Sequence, residues 1–346
     1  MAIASDSPSA LESLLPEDLR SLEDPQRAIP RIAKDRRLIA RIEQVVQSLP
    51  THHHLHHRDS RDMRELEPES VHLVLTSPPY WTLKEYRKID GQLGYVADYE
   101  EFLTELDRVW KRCFEALVPG GRLICVVGDV CLSRRKNGGR HTVVPLHASI
   151  QEHCRVIGFD NLAPIIWHKI ANAKFESEGN GAAFLGKPYE PNAVIKNDIE
   201  FILMQRKPGG YRSPDMATKV LSLLSDENHK AWFQQIWTGL TGASTRQHPA
   251  PYPLELAMRL VRMFSFVGDT VLDPFLGTGT TTLAAAQWGR NSIGYELDET
   301  YLSLAQARIT DKTAGFFKTA DVSGHRGAAT TRATFLPRLI RNCAKP

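Results

Sequence analysis

Apolar residues along the 346-residue chain fall into two alternating patterns. Runs of strand length occur at 71–75, 123–127 and 199–204, with weaker ones near Leu162, Val271 and Ile293. The densest of these, 71–75, reads as a parallel strand buried on both faces. Stretches 254–264 and 283–287 carry helix-forming residues instead. Before residue 50, Ile32, Ile39, Ile42, Val46 and Leu49 share one helical stripe, which predicts an accessory bundle packed on the main domain. The interleaving of strands and helices is that of an α/β domain.

The run 71–75 ends in Thr76-Ser77-Pro78-Pro79-Tyr80-Trp81. Two consecutive prolines hold the backbone extended and remove N–H donors, so nearby carbonyls are fixed and open to an outside donor such as an amino group. Tyr80 and Trp81 add flat faces, which suit a nucleobase drawn out of its stack. Standing alone, the segment would read as a Pro-rich turn with its two aromatics packed in the core.

A second strand-to-turn junction follows about two hundred residues later, at Val271-Leu272-Asp273-Pro274-Phe275-Leu276-Gly277-Thr278-Gly279-Thr280-Thr281. Gly277 and Gly279 allow close approach of a ligand to the backbone, and the following helix start offers unpaired N–H groups to a carboxylate. The turn lacks the Gly-Lys-Ser/Thr of a nucleoside-triphosphate loop, and its G-x-G-x-x-G pattern is incomplete. Asn291-Ser292-Ile293-Gly294-Tyr295 then reads as a strand ending at Glu296 and Leu297, about twenty residues beyond the first. An acid in that position binds ribose hydroxyls. A nucleoside that bears a carboxylate and needs no phosphate grip fits this pattern, and S-adenosylmethionine is such a ligand.

With these motifs in view, the chain from about residue 55 to 308 resembles the amino-group DNA methyltransferases, which make N4-methylcytosine or N6-methyladenine. Ser77, Pro78, Pro79 and Tyr80 match their catalytic motif in its Ser-Pro-Pro-Tyr form, preceded by Thr76. Asp273, Pro274, Phe275, Gly277, Thr278, Gly279, Thr280 and Thr281 match their cofactor loop. His248-Pro249-Ala250-Pro251-Tyr252-Pro253 resembles the segment that closes over the methionine end of the cofactor. Catalytic motif first and cofactor motif last is the family's beta order. The resemblance therefore implies a circularly permuted, Rossmann-like fold with a mixed, mostly parallel sheet and helices on both faces. In that permutation the third strand lies just before the catalytic one, at 54–58, and Asp59 becomes a candidate for the adenine end of the cofactor; Arg58 stands where family members commonly have glycine.

The implied organisation is a helical extension over 1–50, a methyltransferase domain over 51–315 and a Thr-, Ala- and Arg-rich tail over 316–346. An insert at about 208–246 stands where this family keeps its target-recognition region, with Lys219, Asn228, Lys230 and Gln234 as candidate readers of base edges. Strand 199–204 resembles the one backing the target-base pocket. Arg134, Arg135, Lys136 and Arg140 in one polar loop, and Lys169, Lys174, Lys187 and Lys196 in another, are placed to follow phosphates, or are ordinary solvated surface.

The implied reaction moves a methyl group from a sulfonium to an exocyclic amine of a flipped base in double-stranded DNA. Ser77 and the Pro78 carbonyl would accept the amine hydrogens. A serine in first place leans, by resemblance, to cytosine N4; adenine N6, or a catalytically silent nucleic-acid-binding protein, are the alternatives. A specific short site, a cognate restriction endonuclease and a monomeric or homodimeric state go with that reading.

Composition changes little. Forty-three basic residues against 40 acidic leave the charge nearly balanced, which neither requires nor excludes DNA. Five cysteines without C-x-x-C read as reduced thiols, and none lies in the Pro-Cys context of a carbon methyltransferase. The cluster His52, His53, His54, His56 and His57 lacks the spaced Cys and acid partners of a metal site, so no metal is expected. With no long apolar span and no basic flank beside Asp6 and Glu12, neither membrane nor secretion is expected, and the cytoplasm is the expected location.

Overall fold

A computed structural model of the chain describes residues 11–82, 87–132, 137–169, 184–185, 191, 194–195, 197–243, 252–314 and 320–326. Its strands are β1 (Thr51–His57), β2 (Val71–Thr76), β3 (Leu117–Val127), β4 (Val130–Leu132), β5 (Thr142–Val144), β6 (Asp160–His168), β7 (Phe184–Leu185), β8 (Val194–Ile195), β9 (Ile199–Arg206), β10 (Ile236–Trp237), β11 (Thr270–Asp273), β12 (Asn291–Glu296) and β13 (Ala320–Arg326). Its α-helices are α1 (Pro25–Lys34), α2 (Arg36–Gln47), α3 (Tyr99–Ala116), α4 (Leu146–Ile157), α5 (Met216–Leu221), α6 (Asp226–Trp232), α7 (Leu254–Phe264), α8 (Thr280–Gln287) and α9 (Glu299–Ala314).

Nine strands form one sheet in the order β10-β6-β9-β3-β2-β11-β12-β1-β13, in which β9 alone runs against the others. The fold is thus the mostly parallel α/β sheet expected from the motifs. The cofactor strands β11 and β12, last but one in the chain, sit between β2 and β1, so the catalytic half does precede the cofactor half. β1 is the predicted third strand, and it also pairs with β13 along its whole length. Residues 320–326, read from sequence as part of a patternless tail, are therefore an edge strand.

Apolar runs without polar alternation are explained by burial on both faces. Along β3, Leu123, Cys125 and Val127 enter a core with Phe102, Val109 and Trp110 of α3, while Ile124 and Val126 enter a second core with Trp167, Leu256 and Leu260. Each fully buried aliphatic side chain contributes roughly 1.5–3 kcal/mol. The N-terminal helices start at side-chain caps, Asp24 for α1 and Asp35 for α2. Their stripe, Ile32, Ile42 and Val46, packs on Ala217, Val220 and Leu221 of α5 and on Val267.

The insert follows a different course from the one its position suggested. β9 ends at Arg206 opposite Asp160 and Arg122, at the amino ends of β6 and the neighbouring parallel strands. α5 and α6 then pack beside Val267, Ser265 and Phe266, just before β11 begins. A six-residue strand spans about 20 Å. Lys219, Asn228 and Lys230 accordingly lie at the sheet end opposite Ser77, and this corrects their assignment as base readers. Lys230 instead pairs with Asp226 at 2.7 Å, and Gln234, just beyond α6, donates to the Lys230 carbonyl at 2.8 Å. β10 brings the chain back to Ile166 and Trp167, near the other end.

Candidate active site

The carboxyl ends of four adjacent parallel strands open on one cleft, lined by Asp59 and Ser60 after β1, Ser77 and Pro79 after β2, Pro274, Phe275 and Gly277 after β11, and Tyr295, Glu296 and Leu297 at the end of β12. Open α/β sheets bind ligands at this position. About 620 Å³ of space, counting the open mouth, lies between these walls. Arg58, Gly91, Gln92, Leu93 and Tyr301 complete the wall.

The cofactor loop is shaped by packing. Gly279 has a φ of 76°, and a Cβ there would press on Ala305 at 3.1 Å and Ile309 at 3.0 Å, both on α9. Gly294 leaves room for Leu276, whose Cδ1 would lie 2.6 Å from an added Cβ. Arg308 of α9 donates to the Thr278 carbonyl at 3.1 Å and to Thr280 Oγ1 at 3.0 Å. Thr278 and Thr280 are buried and do not line the cleft.

Asp273 is buried too, at 2 % exposure, and it does not line the cleft. Its Oδ1 accepts from Thr76 Oγ1 at 2.6 Å and Phe275 N at 3.0 Å; its Oδ2 accepts from Thr281 Oγ1 at 2.5 Å and from the Tyr252 hydroxyl at 3.5 Å. Burial holds its pKa above the ordinary carboxylate value, and these donors offset only part of the rise. Asp273 thus ties the catalytic turn, the cofactor loop and α8 together from below.

Glu296 does face the cleft. Its Oε2 accepts from Gly277 N and its Oε1 from Asp298 N, each at 2.8 Å. Burial raises its carboxyl to a pKa of about 7 against those backbone donors. Each oxygen keeps a lone pair for a further donor. Asp59 is at the rim, where Arg61 engages both its oxygens, with Nε 3.0 Å from each. Arg61 also binds Glu105 and the Gly91 carbonyl. Arg58, in the glycine's usual place, turns to Glu65 at 2.9 Å.

In the catalytic turn, Pro78, Pro79 and Tyr80 are buried and Ser77 is half-buried on the cleft wall. Tyr80, 6 % exposed, packs in the core with Leu123, Val127 and Leu146. Its reading as an open stacking platform is corrected by that burial. Trp81 is also committed, its Nε1 donating to the Val96 carbonyl at 2.9 Å and its ring meeting Tyr99 edge-on. Its φ of 47° is a left-handed value that costs a bulky residue about 1–3 kcal/mol, held by those contacts.

The profile of the N6/N4 DNA methylase family matches residues 71–307. The chain belongs to that family. Its members are S-adenosylmethionine-dependent DNA methyltransferases, and this chain is one. It is 36 % identical over 285 residues to the type II methyltransferase M.MthZI of Methanothermobacter thermautotrophicus, covering 76 % of this chain and 78 % of the relative. M.MjaI of Methanocaldococcus jannaschii is also 36 % identical, over 75 % of this chain and 92 % of its own. Among solved structures, TTHA0409, a putative DNA modification methylase of Thermus thermophilus complexed with S-adenosyl-L-methionine, shares 51 % identity at a TM-score of 0.63, covering 78 % of this chain and 99 % of that one. The PvuII cytosine-N4-specific DNA methyltransferase, at 17 % identity and a TM-score of 0.52, shares the fold over 80 % of this chain and 98 % of its own.

In this DNA methylase the sequence reasoning missed Tyr295, Tyr301 and the segment 91–93. Tyr295 was legible: strand alternation just before Glu296 places it at the same strand end, where it stacks on His56 at 4.8 Å. The 91–93 segment carries no motif. His248 lies outside the described residues, as do Arg134, Arg135, Lys136, Lys174, Lys187 and Lys196. Arg140 is exposed, and Lys169 is paired with Glu200. The histidines of β1 alternate across the sheet: His53 is buried between Ser292 and Thr51, and His54 bonds Ser323. Among the described residues no three His, Cys, Asp or Glu converge on one point, and no helix is long and apolar enough to cross a membrane. Cys113, Cys125 and Cys154 are buried, and burial pushes their thiols up, away from reactivity.

Proposed function

We propose that this DNA methyltransferase methylates the exocyclic N4 amine of a cytosine flipped out of double-stranded DNA, at a specific short site, as the modification arm of a restriction-modification system. The observation that carries the reading is Ser77, a hydroxyl on the cleft wall at the head of Ser-Pro-Pro-Tyr, across from the Glu296 carboxylate. The likeness to M.MthZI and M.MjaI, both type II methyltransferases, supports the restriction-modification setting.

The residues present fit S-adenosylmethionine. Glu296, oriented by Gly277 N and Asp298 N, offers lone pairs to vicinal ribose hydroxyls, and Phe275 and Tyr301 offer flat apolar walls. The glycine turn 277–279 allows a ligand close to the backbone. When bound, the cofactor supplies an electrophilic methyl group on its sulfonium. TTHA0409, a half-identical relative, was crystallised with it. Asp59 acts in this reading by holding Arg61 and the 91–93 wall in place, since its own oxygens are engaged.

On the substrate side, an exocyclic amine is a poor nucleophile because its lone pair is delocalised into the ring. Ser77 and the Pro78 carbonyl accept its two hydrogens and draw them out of plane. No strong base is required, because a methylated aminium is acidic enough to lose its proton to water. Orientation within the cleft then supplies most of the acceleration.

Digestion of DNA methylated by the purified protein, followed by nucleoside analysis, tests the proposal. N4-methylcytosine supports it; N6-methyladenine without N4-methylcytosine replaces it by the adenine reading, which the same family includes.

A further inference from the structure

Behind Ser77 a line of polar groups runs inward through the sheet. Ser77 Oγ lies 3.3 Å from the Tyr80 hydroxyl, and that hydroxyl lies 3.3 Å from Glu200 Oε2 and 3.4 Å from the Val126 carbonyl. On its far side Glu200 Oε1 meets Lys169 Nζ at 2.5 Å. Glu200 is 8 % exposed, on β9, with its Cγ against Gly128 beside the Tyr80 ring. A carboxylate this buried is costly unless it is paired and hydrogen-bonded.

The direction of this chain is fixed by its inner end. Lys169 is a donor only and forms an ion pair with Glu200, and a carboxylate in an ion pair only accepts. Val126 O is likewise only an acceptor. Among these partners the Tyr80 proton goes inward, to Glu200 or Val126, leaving the phenolic oxygen as acceptor for the Ser77 hydroxyl. With its one proton directed at Tyr80, Ser77 turns lone pairs to the cleft.

We infer that Glu200, paired with Lys169, is a positioning residue that sets the polarity of the Ser77–Tyr80 chain so that Ser77 presents an acceptor to the target amine. The inference rests on the reading of Ser77 as the group that meets that amine. It accounts for how a hydroxyl, which donates as readily as it accepts, is made to act in one sense.

The test is Glu200→Gln in the full-length protein. Lys169 would draw the amide oxygen, so the amide N–H₂ would face Tyr80 and compete with Ser77 for its oxygen. Single-turnover transfer of a labelled methyl group to genomic DNA from a strain lacking the modification should fall about tenfold, the value of one hydrogen bond, with cofactor affinity by calorimetry unchanged. Removing the lysine frees the amide to turn, so Lys169→Met combined with Glu200→Gln should recover part of the loss. In a Tyr80→Phe background, Glu200→Gln should have no further effect. A single variant within twofold of wild type, or a double variant no better than the single, overturns the inference. Rates are compared with wild type on the same DNA, whichever base it methylates, so the result stands apart from the cytosine or adenine outcome.

Discussion

Thr76 Oγ1 donates to Asp273 Oδ1 across 2.6 Å, joining the residue before the Ser-Pro-Pro-Tyr turn to the first residue of the cofactor loop, 197 positions away. Both residues are buried. The two halves of the site are therefore held in register by a hydrogen bond to a charged group, worth about 1.5–3 kcal/mol. Thr76→Val keeps the shape and removes the donor. It should lower stability by that amount in urea unfolding and weaken cofactor binding; unchanged values of both would show that the link is ornamental.

Glu296 gives a pH signature. Its carboxyl has a pKa of about 7 in the fold against an ordinary 4.5, so the folded state holds its proton more tightly than the unfolded state. Stability contributed by that proton is present below pH 4.5 and is lost as pH rises to about 7, up to about 3 kcal/mol in all. Glu296→Gln should match wild type in urea midpoint at about pH 4 and exceed it at pH 8. Cofactor affinity should move oppositely. Wild type should bind more tightly as pH rises through 7, while the variant binds weakly and without that dependence. A wild-type affinity flat from pH 6 to 8 would remove Glu296 from the cofactor's hydroxyls.

Ser77→Ala should cut methyl transfer roughly tenfold or more while leaving cofactor affinity within about twofold, because the change removes one acceptor from the target amine. Full activity in this variant would mean that another group meets the amine. Tyr80 calls for Phe in place of Ala, since the buried ring would leave a cavity costing about 3–5 kcal/mol.

Gly279→Ala should destabilise the domain by about 1–3 kcal/mol, through a left-handed φ and through pressure on Ala305 and Ile309. Thermal melting reads the loss, and saturating cofactor should recover part of it by binding the folded state. A melt equal to wild type would mean that α9 yields at no cost.

Lys219→Ala, Asn228→Ala and Lys230→Ala, singly or together, should leave the KM for DNA and the methylated sequence unchanged, because α5 and α6 lie at the amino ends of the strands. A shifted site preference, read by base-resolution sequencing of methylated DNA, would put this face on the DNA after all.

The motifs made the sheet and the cleft legible because both are set by local chemistry. An apolar run ending in Ser-Pro-Pro-Tyr, and another ending in a glycine turn, place two strand ends; Glu296 places a third. Roles that depend on what lies behind a residue were not legible. Asp273 and Thr281 share a motif with Gly277, yet they face inward to each other and to Tyr252. Tyr80 follows Ser77 by three positions and points into the core. The course of the insert was hidden as well, since position between two halves of a chain does not say at which end of a sheet a segment leaves; that followed from β9 running against its neighbours. β13 was missed because Gly324 and the polar residues around it lack an apolar run.

The middle of the sheet is built from the end of the chain. β11 and β12 enter between β2 and β1, and β13 covers the other edge of β1, so three strand edges made early in the chain wait for partners made late in it. Pairings between residues 197 or more positions apart are slow to form and expose sticky edges meanwhile. The cleft is therefore complete only when residues 270–297 have joined strands made some two hundred residues earlier.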